Sequence, residues 1–236
     1  MNAALRMFDL AGADERLRFS PYCWRIRLAL AHKGLPVDTL PWRFTDKQAI
    51  APSGQGKVPV LVDGDRWLCD SWAIAEYLER TYAHTPSLFG GAAGHALARF
   101  IHQWTTEVLH PAVARVVLAD IPDILHEQDL DYFRSSREAA WGQSLESLGA
   151  QRDAALEPLR RVLAPLRSTL AAQPFVAGEQ PNYADHTVFG AFQWARVVSP
   201  VQLLAEGDPI GAWVERMLDA YGGIARATPA RVSALG

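Results

Sequence analysis

The first 82 residues alternate between short apolar runs and segments of helical periodicity. Four short apolar runs predict β-strands, at residues 5–10, 37–41, 58–62 and 66–69. Apolar side chains at helical spacing predict two helices, at residues 24–33 and 71–82. The dipeptide Asp63-Gly64 is typical of a hairpin turn, and Gly34 is placed to cap the first helix. The predicted order is therefore β-α-β followed by β-β-α.

Strand patterns almost disappear after residue 86, and helical patterns take their place. These helical patterns cover residues 94–119, 130–172, 183–198 and 210–221. Pro111, Pro158 and Pro165 are expected to kink or break helices, and residues 120–130 are expected to form a loop. The chain is predicted to have an α/β domain, a linker and an all-α domain, at residues 1–83, 84–93 and 94–236.

Composition narrows the class of protein. Of the 236 residues, 49% are hydrophobic and 21% are charged, which is enough apolar material for a packed core. The formal net charge of -3 gives no basic excess for binding nucleic acid. We expect no membrane span, no secretion signal and no metal site, because none of the corresponding sequence patterns occurs. Two cysteines, Cys23 and Cys69, are too few for a disulfide scaffold and fit a reducing compartment, although a bond between them stays open.

The segment FSPYCWR at residues 19–25 is the first of four motifs with candidate chemistry. Ser20 suits the N-cap of the first helix, and Pro21 suits its first position. In one interpretation Ser20 only caps the helix. In the other, its hydroxyl lies at the positive end of the helix and stabilises a bound thiolate. The two roles are compatible.

The second and third motifs surround the predicted hairpin. In GKVPVL at residues 56–61, Pro59 precedes a strand in which it cannot donate a ladder hydrogen bond. A cis bond after Val58 would turn that backbone towards an extended peptide; the alternative is a trans proline at a strand edge. Asp70 and Ser71 lie at the start of the second helix, where either could be a simple cap. Together with the free helical N–H groups they also suit a ligand that carries both a carboxylate and an ammonium group.

The fourth motif is the segment from Asn182 to Asp185, a variant of the capping box that we interpret as structural. With these four motifs in order, the chain resembles the cytosolic-type glutathione transferases over nearly its whole length. Lys57-Val58-Pro59 resembles the family's glutathione clamp, and Asp70-Ser71 resembles its γ-glutamyl site. Residues 175–185 resemble its helical-domain capping motif, with Asn182 replacing the usual serine or threonine.

Three segments are similar to the bacterial β-etherase-like and fungal etherase-related classes, which use a serine at the active position: residues 20–25, 29–34 and 70–78. The resemblance implies a thioredoxin-like domain followed by a helical bundle, with glutathione as co-substrate. It implies that Ser20 is catalytic. The residues expected to hold glutathione are Gln55, Lys57, Val58, Pro59, Asp70 and Ser71, with Lys47 as a further candidate for the glycyl end.

The same resemblance implies a cytoplasmic homodimer whose second substrate is a small electrophile, aromatic or ether-type. Two rival functions stay open at this point. Cys23 occupies the second cysteine position of a thioredoxin-type redox motif, so the protein could be a glutathione-dependent thiol reductase. Alternatively, the aromatic helical domain could bind apolar ligands without turnover, with Trp104 and Trp194 facing a pocket between the domains.

Overall fold

A computed structural model of the chain describes residues 5–231. Its four strands are β1 (Leu5–Leu10), β2 (Val37–Trp42), β3 (Val60–Asp63) and β4 (Arg66–Cys69). They form one sheet in the order β2-β1-β3-β4, in which β1 and β2 are parallel and β3 is antiparallel to both of its neighbours. All four predicted strands are confirmed. Strand β3 begins after Pro59, which has no N–H for the ladder.

Two helices complete the first part of the chain, α1 (Pro21–His32) and α2 (Ser71–Thr81). They share one apolar cluster with the sheet, in which Ile26 and Ile74 pack with Met7 and Leu61. A 3₁₀ helix, Lys47–Ser53, follows β2. This β-α-β, β-β-α arrangement on a small mixed sheet matches the thioredoxin-like fold that the resemblance implied.

The second part of the chain is helical. Its helices are α3 (Ala92–Trp104), α4 (His110–Val117), α5 (Glu127–Trp141), α6 (Leu145–Ala150), α7 (Arg152–Val162), α8 (Ala164–Ala172), α9 (Tyr183–Val198) and α10 (Pro209–Gly223). A π-helical turn, Thr105–Leu109, joins α3 to α4, and a 3₁₀ helix, Leu118–Ile124, follows α4. The helical bundle matches the predicted class. We retain the predicted division into residues 1–83, 84–93 and 94–236 as a proposal. Residues 1–4 and 232–236 lie outside the described residues.

Some predicted helix limits are wrong. Pro111 lies in the first turn of α4, directly after the π-helical turn, so it interrupts the regular α-helical pattern without ending the helix. Pro165 lies in the first turn of α8, as expected of a proline at a helix start. Pro158, in contrast, lies inside α7 without breaking it. The fully buried neighbour Leu159 holds the helix in the core, and this packing offsets the one backbone hydrogen bond that a proline removes. Residues 120–130 are largely helical rather than a loop.

Helix α9 runs through the centre of the molecule, and each of its sixteen residues is buried. It packs directly on α1. Gly190 is required at this crossing, because a Cβ at that position would lie 2.5 Å from the carbonyl oxygen of Pro21. The close approach of these two helices joins the sheet-containing part of the chain to the helical part.

The predicted capping box at the start of α9 is confirmed. The Asn182 side chain accepts a hydrogen bond from the N–H of Ala184 at 2.8 Å, and the Asp185 carboxylate accepts one from the N–H of Asn182 at 3.2 Å. Asp185 also accepts from the Val176 N–H at 2.7 Å and from the Trp213 indole N–H at 2.9 Å. This buried carboxylate therefore ties three segments of the helical domain together.

Candidate active site

A cavity of about 470 Å³ lies where the start of α1 faces helices α4 and α5. Its lining from the first part of the chain includes Ser20, Pro21, Tyr22, Lys47, Lys57 and Val58. Its lining from the helical part includes Thr106, His110, Tyr132, Phe133, Arg137, Trp141 and Trp194. Among the predicted site residues, Ser20, Lys57 and Val58 therefore line the cavity, whereas Gln55, Pro59, Asp70 and Ser71 do not.

Ser20 is the N-cap of α1. Its Oγ accepts a hydrogen bond of 3.2 Å from the backbone N–H of Cys23, and Pro21 occupies the first helical position. Both features follow from the local sequence, since Ser-Pro is a common start of a helix. The cap uses a lone pair of Oγ, so the hydroxyl can still donate its proton to another group. The positive end of the helix dipole points to the same place.

The Val58–Pro59 peptide bond is cis, as in the first of the two alternatives. Val58 is half-buried at the cavity wall, and its peptide groups make no backbone hydrogen bond within residues 5–231. Lys47 lies nearby, where its Nζ donates to the Gly56 carbonyl oxygen at 2.6 Å and lies 4.9 Å from the ring centre of Tyr132. Lys57 is exposed.

Asp70 is the N-cap of α2, where its carboxylate accepts a hydrogen bond of 2.9 Å from the N–H of Ala73. Its φ of 68° lies in the left-handed region, which is unusual for a residue other than glycine and common at binding sites. The side chain is exposed. Burial is the main cause of the shifted pKa values of Tyr22 and Arg25 in α1, and the charge of Asp70 adds a smaller effect on both. The charge of Asp70 is thus near enough to the start of α1 to act on residues there, although Asp70 does not line the cavity.

A buried arginine stands behind the cavity wall. Arg25 donates from Nη1 to His102 Nδ1 and from Nη2 to His110 Nε2, both at 3.3 Å. A guanidinium can only donate, so these two histidine nitrogens must be unprotonated acceptors. Burial, with the charge of Arg25 next, lowers the pKa of His102 to about 4 and the pKa of His110 well below its usual value. Both imidazoles are therefore neutral at neutral pH.

Tyr22 covers this cluster on the cavity side. Its ring lies edge-on to His110 with the ring centres 5.0 Å apart, and the Arg25 guanidinium lies 4.6 Å from its ring centre. Burial raises the pKa of the Tyr22 phenol above its usual value, and the charge of Arg25 opposes that rise. Tyr22 is thus a second neutral hydroxyl at the wall of the cavity.

Cys23 points away from the cavity into the core beneath α1. The side chain is fully buried, and burial followed by the charge of Asp9 raises the pKa of its thiol well above the usual value. Cys69 is half-buried, and both cysteines are free rather than joined. The open question of a disulfide between them is thereby answered, since neither takes part in one.

Comparison with known proteins agrees with this geometry. Residues 19–81 match the family model described as "Glutathione S-transferase, N-terminal domain", and residues 96–219 match "Glutathione S-transferase, C-terminal domain". The chain belongs to the glutathione S-transferase family. It is an enzyme of that family, and its co-substrate is glutathione.

Several relatives cover most of this transferase. Glutathione S-transferase 4 of Zea mays is 28% identical over 203 residues, which cover 82% of each chain. A solved glutathione S-transferase of Ceriporiopsis subvermispora, in complex with glutathione, superposes with a TM-score of 0.79 at 26% identity over 94% of this chain and 98% of that one. A glutathione transferase of Phanerochaete chrysosporium superposes with a TM-score of 0.76 at 25% identity, covering 95% and 94%.

The structure of the transferase adds lining residues that sequence reasoning did not single out. Trp194 lines the cavity as expected, but Trp104 is absent from the lining. Phe44, His110 and Arg137 were missed, because nothing in their local sequence marks them as facing a pocket. Within residues 5–231, no helix is long and apolar enough to cross a bilayer, and no three metal-binding side chains gather in a way that could hold an ion.

Proposed function

We propose that this transferase activates the thiol of glutathione through the Ser20 hydroxyl and conjugates it to an electrophilic small molecule, aromatic or ether-type. The observation that carries the proposal is the position of Ser20, which caps α1 and lines a cavity that is also lined by several aromatic side chains. The serine-type, etherase-like class that the motifs resemble is part of the same proposal. The glutathione complex known for the relative from Ceriporiopsis subvermispora supports the choice of co-substrate.

The chemistry begins with the thiol. A free thiol of this kind has a pKa of about 8.5 and is mostly protonated at neutral pH. A hydrogen bond from Ser20 to the charged sulfur contributes about 1.5–3 kcal/mol, which lowers the pKa by about one to two units. The proton leaves to solvent. The thiolate then attacks carbon, so a C–S bond forms while the bond to the leaving group breaks and its electron pair departs with that group.

The rest of glutathione would lie along the first part of the chain. The unpaired peptide groups of Val58 suit the cysteinyl backbone of the tripeptide. The Asp70 carboxylate and the first N–H groups of α2, which begins at Ser71, suit the ammonium and carboxylate of the γ-glutamyl head. Lys47, Gln55 and Lys57 are our candidates for the glycyl carboxylate, and Pro59 completes the clamp.

The burial of Cys23 favours the transferase over a thiol reductase. A reductase that used Cys23 would need an exposed sulfur with a lowered pKa, because the thiolate is the nucleophile. Cys23 has the opposite properties on both counts, being fully buried with a raised thiol pKa. Ser20 lies three residues before Cys23 and lines the cavity, so it is the better partner for the glutathione sulfur.

We also propose that the transferase acts as a cytoplasmic homodimer. Leu97 and Phe100 of α3 are each 68% exposed and lie one turn apart, and Val108, in the π-helical turn that follows α3, is 41% exposed. Large apolar side chains at such exposure are typical of a surface that a partner covers. Changing Leu97 and Phe100 to glutamate is expected to give monomers in sedimentation velocity, whereas an unchanged mass would contradict this interface. The two free cysteines support a reducing compartment.

The central experiment is a titration of the bound thiolate by its ultraviolet absorbance. In Ser20→Ala, the pKa of bound glutathione should rise by about one to two units, and conjugation at pH 6.5 should fall about 10- to 100-fold. Ser20→Thr keeps a hydroxyl and should retain most of the activity. Tyr22→Phe tests the neighbouring hydroxyl and should change the pKa little. An unchanged pKa in Ser20→Ala would show that Ser20 is only a cap.

A further inference from the structure

We propose that Arg137 binds a carboxylate on the electrophile, so that the preferred second substrates are aromatic acids. This inference rests on the proposed function and names the substrate class of the same cavity. The carboxylate would meet the guanidinium on the α5 side, while the aromatic ring would lie among the aromatic side chains around it.

The charged residues that line the cavity are all positive. Its lining contains the cations Lys47, Lys57 and Arg137, and none of the lining residues that the structure describes is an aspartate or glutamate. Lys47 and Lys57 belong to the first part of the chain, where they are candidates for the glycyl end of glutathione. Arg137 is the cation that the helical domain contributes. A cavity lined by one sign of charge attracts ligands of the other sign.

Most N–H groups of the Arg137 side chain have no hydrogen-bond partner within residues 5–231. Its Nη1 donates to the Ser136 hydroxyl at 3.1 Å, and it makes no ion pair within residues 5–231. Arg134, one turn earlier on the same helix, instead pairs with Glu138 at 2.9 Å and with Glu146 at 2.8 Å. A guanidinium has five N–H groups in a planar fork that matches a carboxylate with two parallel hydrogen bonds. Most of that fork is unused in Arg137.

The surroundings of Arg137 select a flat, apolar body for the ligand. The guanidinium carbon lies 5.0 Å from the ring centre of Phe133 and 5.4 Å from that of Phe44. Phe44 in turn packs against Tyr132 and Phe19, with ring centres 6.0 and 6.2 Å apart. An aromatic ring can stack among these side chains while its carboxylate reaches the guanidinium.

The partial burial of the Arg137 charge also favours binding of a carboxylate. Burial lowers the pKa of the Arg137 guanidinium, which reflects the cost of holding a charge in this partly desolvated place without a counter-ion. A bound carboxylate would supply the counter-ion and offset part of that cost. Charged hydrogen bonds of this kind are strong where water is scarce, so the preference for an acid over a neutral isostere should be large.

The test compares 4-chloro-3-nitrobenzoate with its carboxamide as electrophiles for the native enzyme. In both reactions the thiolate displaces chloride, so each rate is normalised to the uncatalysed reaction with glutathione. Arg137→Met should lower kcat/KM for the acid at least tenfold, mainly through KM, and leave the amide within twofold. Arg137→Lys should lie between. Arg134→Met, on the same helix but outside the cavity, is the matched control and should change neither substrate.

Binding of an unreactive acid separates this inference from the proposed function. Calorimetry with 3-nitrobenzoate and 3-nitrobenzamide needs no thiolate, so it tests Arg137 even if Ser20 proves not to activate glutathione. The native enzyme should bind the acid at least tenfold more tightly, and a folded Arg137→Met variant should lose that preference. Equal binding of acid and amide by the native enzyme, or an equal loss of both in Arg137→Met, would overturn the inference.

Discussion

The phenolic hydroxyl of Tyr183 donates a hydrogen bond of 2.9 Å to the carbonyl oxygen of Ser71. Tyr183 is the fully buried first residue of α9, and Ser71 is the first residue of α2. This bond therefore connects the helical domain to the end of α2 that we propose for the γ-glutamyl head. Tyr183→Phe should lower the free energy of unfolding by about 1 kcal/mol. It should also raise the KM for glutathione severalfold with little change in kcat. Steady-state kinetics showing only the stability loss would contradict this coupling.

The charge of Asp70 can be tested apart from its cap. Asparagine caps helices as well as aspartate does and tolerates positive φ, so Asp70→Asn should leave stability nearly unchanged. Loss of the charge should weaken binding of glutathione about tenfold, measured as a dissociation constant by calorimetry. The dipeptide cysteinylglycine lacks the γ-glutamyl head and serves as the matched ligand. An equal effect on both ligands would argue against an ammonium contact.

The two cysteines should differ in reactivity. At pH 7.5, iodoacetamide should alkylate half-buried Cys69 at least tenfold faster than Cys23, because Cys23 is fully buried and its thiol pKa is raised. Peptide mass spectrometry measures both rates in one sample. Cys23→Ala should keep conjugation within about twofold if the fold is retained. Loss of a disulfide reductase activity in Cys23→Ala, with conjugation unaffected, would instead favour the thiol reductase.

The two residues of the α9 capping box, Asn182 and Asp185, should contribute unequally to the free energy of unfolding. Asn182→Ala removes one capping acceptor and should cost about 1 kcal/mol of unfolding free energy. Asp185→Ala removes the acceptor shared by Val176, Asn182 and Trp213, and should cost about 3 kcal/mol or more. Urea unfolding of both variants gives the comparison. Equal costs would mean that Asp185 acts only as a local cap.

Acid should destabilise the protein partly through His186. Burial, followed by the charge of His32, lowers the pKa of His186 well below its usual 6.5, and its Nε2 lies 2.7 Å from the Tyr221 hydroxyl. Below about pH 6.5, His186 is protonated in the unfolded chain but stays neutral in the native state. The contribution of neutral His186 to the free energy of unfolding is therefore complete above pH 6.5 and is lost as the pH falls.

Replacing His186 should flatten that dependence. His186→Gln keeps a side chain that can hydrogen-bond to Tyr221 but cannot titrate. The loss of stability between pH 6.5 and 5 should therefore be shallower by up to about 1.4 kcal/mol per pH unit. Urea unfolding at several pH values measures the slope. The exposed His84 provides the control His84→Gln, which should keep the native slope. An unchanged slope in His186→Gln would show that other groups dominate acid unfolding.

Local signals were sufficient for much of the fold. The four strands, the Ser20 cap and the capping box at Asn182 depend on residues within a few positions of one another, so short patterns predicted them. Pro158 was misjudged because the decisive factor is tertiary packing around Leu159 rather than proline propensity. Trp104 was misplaced for a related reason, since periodicity does not say which buried face meets a cavity.

The sequence by itself determined the family, the thioredoxin-like and helical parts, and the residues around Ser20 and Val58 that resemble a glutathione site. These are carried by contiguous motifs, which stay readable without any knowledge of packing. Only the tertiary structure decided that Arg137 lines the same cavity as Ser20, more than a hundred residues earlier, and that Cys23 does not. Such convergence depends on how α1, α5 and α9 pack together, and packing is a property of the whole chain.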